Sequence, residues 1–369
     1  MRILHLTDHY LPVLGGIETH VHGLAERQRA RGDDVTVLTS TPAGNEETSR
    51  ALPVIRARSF LEAARFDFGA CDVVHAHVSV VAPFTAPLAA IAARSGVPTV
   101  VTVHSMWNRM GPLPGLAAAV AGLRSAPVSW TAVSQVAASQ LAHQLPDRVQ
   151  VTVLPNAVDT LPRIDTPRPR PDHLVRLIST MRLAPRKRPV QLARMFRDLL
   201  DQVDVPLHLT IVGDGPQRHR VQRTLARLHL ESAVTLTGRV DPREVGERLR
   251  ASDLYVAPSM LESFGLAALE ARCAGLPVVG HAVSGLTDFI RTEVEGILCH
   301  SDADMVSALR RLVEDEPLRR RMSEHNRTVG TQMTWATSLA RHDRVYTEAG
   351  RRGVSSSSAL PVASEDGRP

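Results

Sequence analysis

Short apolar runs alternate with longer amphipathic segments along most of the chain. The first run, RILHLT (2–7), precedes a loop and then a segment with apolar residues at helical spacing that stops at Gly32. Runs this apolar are typical of parallel strands buried on both faces, and their alternation with helices predicts βαβ units in an open, doubly wound sheet. The strands predicted for the first half are 2–7, 34–39, 72–77, 98–104, 130–134 and 151–156.

The second half repeats this pattern after a break in composition. The break, DTLPRIDTPRPRPDH (159–173), has four prolines and no periodicity, which is typical of a linker. Two Rossmann-like α/β domains are therefore predicted, at 1–160 and 174–333 around a linker at 161–173, with the carboxyl ends of their strands facing a cleft. The Ser-rich segment 351–369 is predicted to be a disordered tail. The strands predicted for the second half are 174–180, 207–213, 234–238, 253–259, 276–282 and 296–299.

Composition and charge narrow the kinds of partner. The 369 residues are 43% hydrophobic and 22% charged, as in a globular protein of two domains. The net charge of +5 is spread along the chain and only 4% of residues are aromatic, which argues against a nucleic-acid partner. An anionic small-molecule substrate, or loose contact with an acidic membrane surface, fits this charge better.

Location is predicted from the cysteines and from the hydropathy pattern. The three cysteines lack metal-ligand spacing, which favours reduced thiols in a cytosolic protein. The first residues predict a strand rather than a signal peptide, and no apolar run is long enough for a membrane span. We therefore expect a cytoplasmic protein, with peripheral membrane contact as an alternative.

Two glutamates stand in an otherwise apolar segment, ESFGLAALEARCAGLPVV (262–279). Glu262 is predicted to lie in the loop before a helix that begins near Phe264–Gly265 and ends at Gly275. A helix N-terminus with a glycine beside it offers free N–H groups to a phosphate. Glu270 lies inside the helix, where a carboxylate on an exposed edge would suit two neighbouring hydroxyls, as in a ribose. The alternative is that Glu262 is an ordinary helix N-terminal charge and Glu270 a surface residue on the polar edge of the helix.

This segment resembles the signature of retaining glycosyltransferases with the GT-B fold, family four or group 1. Glu262 and Glu270 stand at the spacing of that signature, and further segments resemble family motifs in the same order. The resemblance covers roughly residues 1 to 350. The further segments are GGIETHV (15–21), VTVHS (101–105), LPNAVD (154–159), MRLAPRK (181–187) and IVGDGP (211–216).

The resemblance implies transfer of a sugar from a nucleotide diphosphate donor to a hydroxyl acceptor, with retention of configuration and without a metal or another cofactor. Arg182 and Lys187 would neutralise the leaving diphosphate. Gly15 and Gly16 would approach the donor phosphates. The leaving phosphate itself would help to take the acceptor proton, so no nucleophile is assigned.

The remaining site residues are also implied by the resemblance. Glu270 would accept hydrogen bonds from the ribose, Glu262 would contact the donor sugar, and His104 would lie near the transferred sugar. A ribose held in this way predicts a preference for UDP-, GDP- or ADP-sugars over dTDP-sugars. Other donor contacts would come from the amides of Ser263, Phe264, Gly265 and Leu266, from Asn156, and from Arg239 and Val240 near the base. The acceptor would meet Trp107, Asn108 and Arg109.

The chain departs from the family pattern at three positions, where Ala157, Met181 and Arg188 replace glycine. No functional side chain is lost, but the local backbone path is in question. The resemblance also implies that a helix at 334–350 packs back on the N-terminal domain, with Trp335 and Tyr346 as packing residues. Without a clear ligand set, surface or structural roles are expected for His20, His22, His75 and His77.

The sequence leaves three rival interpretations. A dinucleotide-dependent oxidoreductase would need G-x-G-x-x-G after the first strand, and the loop there is LPVLGGIE. An inverting GT-B transferase or a nucleotide-sugar epimerase would need a general base, for which His20 is the one candidate. A catalytically silent nucleotide-binding member of the family is the third.

Overall fold

The computed structural model describes residues 1–13, 15–44, 52–79, 81–106, 122–146, 149–159 and 173–357, with side chains described through residue 351. Contacts divide the described residues into two compact units. Unit 1 comprises those in Met1–Val133, Ala138–Leu154 and Ala336–Pro369. Unit 2 comprises those in Ser134–Ala137 and Pro155–Trp335.

Unit 1 contains a seven-stranded sheet of order β3-β2-β1-β4-β5-β6-β7, in which every strand pair is parallel. Described helices lie in four of the six connections between these strands, as is usual for crossovers between parallel strands. The strands are β1 (Arg2–Thr7), β2 (Asp34–Thr39), β3 (Val54–Arg56), β4 (Val73–Val78), β5 (Thr99–Val103), β6 (Ser129–Ala132) and β7 (Val151–Val153). The helices are α1 (Gly16–Ala30), α2 (Phe60–Ala63), α3 (Thr85–Arg94), α4 (Gln135–Ala142), whose first three residues belong to unit 2, and the C-terminal α11 (Trp335–Ser357).

The C-terminal helix α11 packs onto the sheet of unit 1. Val345, Tyr346 and Ala349 are buried in one apolar cluster with residues of β1, β2, β4, β5 and α1. At its surface, Asp343 accepts two hydrogen bonds from the guanidinium of Arg31, at 2.9 and 2.7 Å. The last helix of the chain therefore contributes to the core of the first unit.

Unit 2 contains a six-stranded sheet of order β10-β9-β8-β11-β12-β13, again with every pair parallel. The strands are β8 (Val175–Thr180), β9 (Leu207–Val212), β10 (Val234–Gly238), β11 (Leu254–Ala257), β12 (Val278–His281) and β13 (Gly296–Cys299). The helices are α5 (Pro189–Leu200), α6 (Arg218–Arg227), α7 (Pro242–Arg250), α8 (Leu266–Cys273), α9 (Asp302–Glu314) and α10 (Glu316–Thr328).

The core of unit 2 lies between its sheet and the helices α5, α9 and α10. Leu192, Phe196 and Leu199 follow helical spacing on α5, are buried, and pack against the strands. One carboxylate is also buried here: Glu295 is 1% exposed and accepts hydrogen bonds from Arg291 at 2.6 and 2.8 Å. This is the pairing that a buried charge requires.

The predicted fold class, two parallel-sheet α/β domains, is confirmed. The sequence missed the edge strand β3, because three residues without a buried side chain carry no pattern to detect. The expected disordered tail is wrong for 351–357, where α11 continues, since no proline interrupts it between Trp335 and Ser357. The rest of the tail and the linker at 161–172 lie outside the described residues. No helix among the described residues is long and apolar enough to cross a membrane.

Candidate functional site

Backbone hydrogen bonds join two of the motif segments, 181–187 and 211–216, at the carboxyl end of the unit 2 sheet. The amides of Met181 and Leu183 donate to the carbonyls of Val212 and Asp214, both at 2.9 Å. Gly213 has φ 129°, and a Cβ there would collide with the carbonyl oxygen of Met181. The loop after β8 and the turn after β9 therefore form one backbone unit, which explains why the turn needs glycine.

Arg188 resolves one departure from the family pattern. Its backbone is in the left-handed region, with φ 58° and ψ 41°, a conformation that glycine adopts freely. Its guanidinium donates to both carboxylate oxygens of Asp302, at 2.9 and 2.7 Å, and to the Pro258 carbonyl at 3.1 Å. The hydrogen bonds and the charge of Arg188 hold the pKa of Asp302 below its usual range. The backbone path is therefore kept by an ion pair instead of a glycine.

Lys187, which precedes Arg188, pairs with Glu262. The Nζ of Lys187 donates to Oε2 of Glu262, and both side chains remain about one-fifth exposed, at 24% and 18%. The amide of Gly285 donates to the carbonyl of Glu262 at 2.8 Å, which anchors the loop that carries it. Arg182 is exposed, and within the described residues its guanidinium has no hydrogen-bond or ion-pair partner. Of the two cations predicted to bind the diphosphate, Lys187 is paired with Glu262 and Arg182 is available to a ligand.

The N-cap of helix α8 is Gly265, which has a left-handed backbone that favours glycine. Gly265 has φ 99° and ψ 51°, and the helix starts at Leu266, one or two residues later than the sequence predicts. Ala268, Leu269, Ala271 and Arg272 are buried, while Leu266, Ala267, Glu270 and Cys273 are on the accessible face. This i, i+3, i+4 spacing puts Glu270 on the same face as the first turn of the helix.

Glu270 is a carboxylate with no hydrogen-bond or ion-pair partner among the described residues. Its side chain is accessible to solvent, yet neighbouring protein atoms partly desolvate its carboxylate. This desolvation raises its pKa from 4.5 to about 7. Burial raises the pKa of Tyr255, and the charges of Glu270 and Glu262 raise it further.

The neighbours of this helix offer backbone groups more than side chains. Phe264 is 2% exposed and its ring packs on that of Phe289, with centroids 5.5 Å apart, so its side chain belongs to the core. Ser263 and Leu266 are partly accessible. Arg239 is exposed and Val240 partly exposed after β10, whose last residue, Gly238, accepts a hydrogen bond from the Gly213 amide at 2.9 Å.

Asn156 also lies in unit 2. It is buried, and its Oδ1 has no hydrogen-bond partner in the described part of the chain. A buried amide oxygen without a donor is costly, which favours a role for this group in holding a ligand or a residue outside the described ranges. Ala157, beside it, is buried and has no positive φ, so this second departure from glycine needs no special backbone conformation.

The other predicted residues lie in unit 1. Gly15 caps the N-terminus of α1 in extended conformation, and Gly16 is the first helical residue. A Cβ on Gly15 would collide with the carboxylate of Glu18, so this glycine leaves room for a side chain of its own helix. His104 follows β5 and is 5% exposed. Trp107, Asn108 and Arg109 lie outside the described residues.

The histidines of unit 1 fit the structural role, one of the two roles expected for them. His20, His75 and His77 are buried rather than at the surface, and His22 is half-buried and hydrogen-bonded to the Tyr10 hydroxyl at 2.8 Å. Tyr346 is a packing residue that also makes hydrogen bonds, to His75 at 2.9 Å and Gln28 at 3.2 Å. The signal in the sequence was the alternation VVHAHV, in which every second residue of a fully buried strand is polar.

Two family models match this chain. Residues 14–160 match Glycosyltransferase Family 4, and residues 164–329 match Glycosyl transferases group 1. Together they span most of both units described above. The chain belongs to the group 1 glycosyltransferases, of the GT-B type, and is therefore a transferase enzyme, as the sequence predicts.

Individual relatives agree with this family. Glycogen synthase of Mycobacterium tuberculosis is 26% identical over 415 residues, which cover 98% of each chain. D-inositol 3-phosphate glycosyltransferase of Stackebrandtia nassauensis is 34% identical over 209 residues, 52% of this chain and 47% of that protein. Among solved structures, sucrose-phosphate synthase of Thermosynechococcus elongatus has a TM-score of 0.76 at 20% identity, covering 94% of this chain and 98% of that one. Anabaena HepE with UDP and glucose has a TM-score of 0.75 at 18% identity, covering 94% and 100%.

Proposed function

We propose that this glycosyltransferase moves a hexose-type sugar from a nucleotide diphosphate donor to a hydroxyl acceptor, with retention of configuration. The observation that carries the proposal is Glu270, an accessible carboxylate with no partner among the described residues and with a raised pKa, on the same helix face as the N-terminus of α8. A desolvated carboxylate lacking donors is suited to accept hydrogen bonds from two adjacent hydroxyls, as a ribose presents.

The same half of the molecule supplies charge for the diphosphate. The guanidinium of Arg182 is exposed and available to a ligand, and Lys187 lies close by in sequence. The free amides at the start of α8 add the partial positive charge of a helix N-terminus. These groups together can balance the charge that develops on the leaving diphosphate, so we propose a mechanism that needs no metal. Lys187 would exchange Glu262 for a phosphate oxygen, which leaves Glu262 available to the hydroxyls of the donor sugar.

The donor that we propose to test first is UDP-glucose. Its base and sugar are suggested by the fold relative crystallised with UDP and glucose, while GDP- and ADP-sugars remain open. The acceptor would meet unit 1, where His104 would contact the transferred sugar. We place the reaction in the cytoplasm, because Cys71, Cys273 and Cys299 are all free thiols.

The first experiment is thermal unfolding with UDP, GDP, ADP and dTDP, in the natural protein and in Glu270→Gln. A ligand at 100 times its Kd stabilises by about 2.7 kcal/mol. We expect one ribonucleotide to raise the Tm, dTDP to raise it less, and the variant to lose most of the shift. No shift with any nucleotide would leave the catalytically silent interpretation as the better one.

Two further assays test retention of configuration and metal independence. Proton NMR of the product formed from UDP-glucose reports the anomeric configuration, and an inverted product would return us to an inverting transferase with His20 as base. Rates measured with and without a metal chelator test metal independence. A rate that disappears with chelator and returns with Mg²⁺ would overturn it.

A further inference from the structure

A polar layer lies inside unit 1, on one face of its sheet. The strand register aligns His5 with His75, and His77 with Thr102 and then Thr131, so these side chains project to the same side. All five are 3% exposed or less. Helices α1 and α11 cover this face and contribute the buried side chains Gln28 and Tyr346 to it.

The imidazoles in this layer are neutral. Burial lowers the pKa of His5 to about 4 and that of His104 to about 3, and it lowers those of His75 and His77 well below their usual range. A neutral imidazole has one N–H donor and one lone-pair acceptor. Each hydrogen bond that a ring makes through one nitrogen therefore fixes the role of its other nitrogen.

One end of the layer is fixed by a backbone carbonyl. The Thr131 hydroxyl lies 3.2 Å from the Val101 carbonyl oxygen, which can only accept, so Thr131 donates its single proton there. Thr102, 2.6 Å away, must then donate to Thr131. Its oxygen is left to accept from His75, whose Nε2 is 2.7 Å distant, so His75 carries its proton on Nε2.

The roles continue through the two helices. His75 Nδ1 is an acceptor, so the Tyr346 hydroxyl donates to it at 2.9 Å. The Tyr346 oxygen in turn accepts from the Gln28 amide nitrogen at 3.2 Å. This orients the amide, and its oxygen faces His5 Nε2 at 2.7 Å, so His5 is protonated on Nε2.

This series of hydrogen bonds ends at His104, the predicted site histidine. His5 Nδ1 must accept from His77 Nε2 at 2.9 Å, and His77 Nδ1 must then accept from His104 Nε2 at 3.1 Å. His104 is thereby protonated on Nε2, and its Nδ1 holds a lone pair. If the hydrogen bonds ran in the opposite direction, every donor in this series would become an acceptor. The Val101 carbonyl would then lose the hydrogen bond from Thr131.

We propose that this hydrogen-bond chain holds His104 in the Nε2–H tautomer, with Gln28 and Thr131 as positioning residues, so that Nδ1 of His104 is a hydrogen-bond acceptor and not a donor. The tautomer does not depend on the proposed function, whereas its effect on a bound sugar does. If His104 contacts the transferred sugar as proposed above, its Nδ1 can receive a hydrogen bond from a sugar hydroxyl but cannot donate one to an ether or a carbonyl oxygen.

A metal is the competing occupant of the layer. His5, His75 and His77 each bring a ring nitrogen within 4.8 Å of the others. However, the hydrogen bonds above occupy both nitrogens of every one of these rings. An ion would have to displace a proton and break the chain, so elemental analysis of the purified protein is part of the test. Stoichiometric zinc lost on mutation of His5 would overturn the proposal.

The direct test is long-range ¹H–¹⁵N NMR on protein labelled at histidine, which reports the protonated nitrogen of each ring. His104 is assigned by the signal lost in His104→Gln. We expect an Nε2–H pattern for His104, and an Nδ1–H pattern would overturn the proposal. This readout needs no substrate, so it separates failure of the tautomer from failure of the proposed function.

Matched variants test the positioning residues. Gln28→Met removes both polar groups and Thr131→Val removes the anchoring hydroxyl, so each should give His104 a mixed pattern. Gln28→Glu keeps an acceptor for His5 and Thr131→Ser keeps the hydroxyl, so both should preserve Nε2–H. If half of the molecules hold the wrong tautomer, the apparent affinity for the ligand falls about twofold. An unchanged His104 pattern in both Gln28→Met and Thr131→Val would overturn the positioning roles.

Discussion

Arg188 and Asp302 form a two-point ion pair, with Nη1 2.9 Å from Oδ1 and Nη2 2.7 Å from Oδ2. The pair joins the N-terminus of α5 to that of α9. It also compensates a backbone cost, because a non-glycine residue in the left-handed region loses about 1–2 kcal/mol. At the position where the family pattern has glycine, this protein therefore has an arginine whose ion pair offsets the cost of the left-handed backbone.

Two substitutions of Arg188 separate these effects. Arg188→Ala loses the ion pair and keeps the strained backbone, and we expect it to destabilise by about 1.5–3 kcal/mol, the range for hydrogen bonds to charged groups. Arg188→Gly loses the pair but relieves the strain, so it should be more stable than Arg188→Ala by about 1 kcal/mol. Urea unfolding of both variants measures the difference, and equal midpoints would show that the left-handed conformation carries no cost here.

Substitutions of Lys187 and Arg182 should affect the diphosphate and leave the nucleoside unaffected. Loss of a hydrogen bond to a charged group costs about 1.5–3 kcal/mol, or about tenfold to a hundredfold in Kd. We expect Lys187→Met and Arg182→Ala to weaken UDP by this factor in calorimetric titration, with the affinity for uridine unchanged. The control is Arg186→Ala, an exposed arginine of the same loop, which should leave UDP binding near that of the natural protein. Equal losses for UDP and uridine would argue for a general disturbance of the loop.

Gly265 is the glycine that the α8 N-terminus depends on. Alanine there would occupy a backbone with φ 99° and place its Cβ 2.9 Å from Leu286 Cδ1. We expect Gly265→Ala to lose about 1–2 kcal/mol of stability from the backbone, and to weaken UDP because the first amides of the helix shift. Gly330→Ala is the matched control, since nothing lies within 4 Å of its Cβ and its φ is not positive. Thermal unfolding and titration of both variants decide the matter, and similar behaviour of the two would contradict the role of Gly265.

The sequence predicts those parts of this molecule that depend on local pattern. Strand existence follows from apolar runs, and the helix start near Gly265 follows from a glycine between a charged loop and an apolar helix. The spacing of Glu262 and Glu270 was visible in the same way. These features are determined by neighbours in the chain, so a single sequence contains them.

The long-range partners could not be predicted. Nothing in the sequence indicates that Arg188 meets Asp302, 114 residues away, or that Glu295 is buried while neither motif glutamate is. The histidines of the polar layer come from two strands, β1 and β4, and their role depends on the register of the sheet and on a helix some 270 residues later. Such contacts are set by topology, which one-dimensional periodicity does not encode.

Glu270 should give the protein a pH dependence near neutrality. Its pKa in the folded protein is about 7, above the ordinary value of 4.5, so as pH rises between these values the unfolded chain ionises first and the folded state loses stability. Glu270→Gln cannot ionise, so its Tm relative to the natural protein should increase from pH 5 to pH 8 and then level. Ribose hydroxyls stabilise the carboxylate, so binding of UDP should strengthen through the same range in the natural protein. Because UDP titrates as well, the informative quantity is the difference between the two proteins in titrations at each pH. A difference that does not change with pH would show that Glu270 is not a titrating part of the nucleotide site.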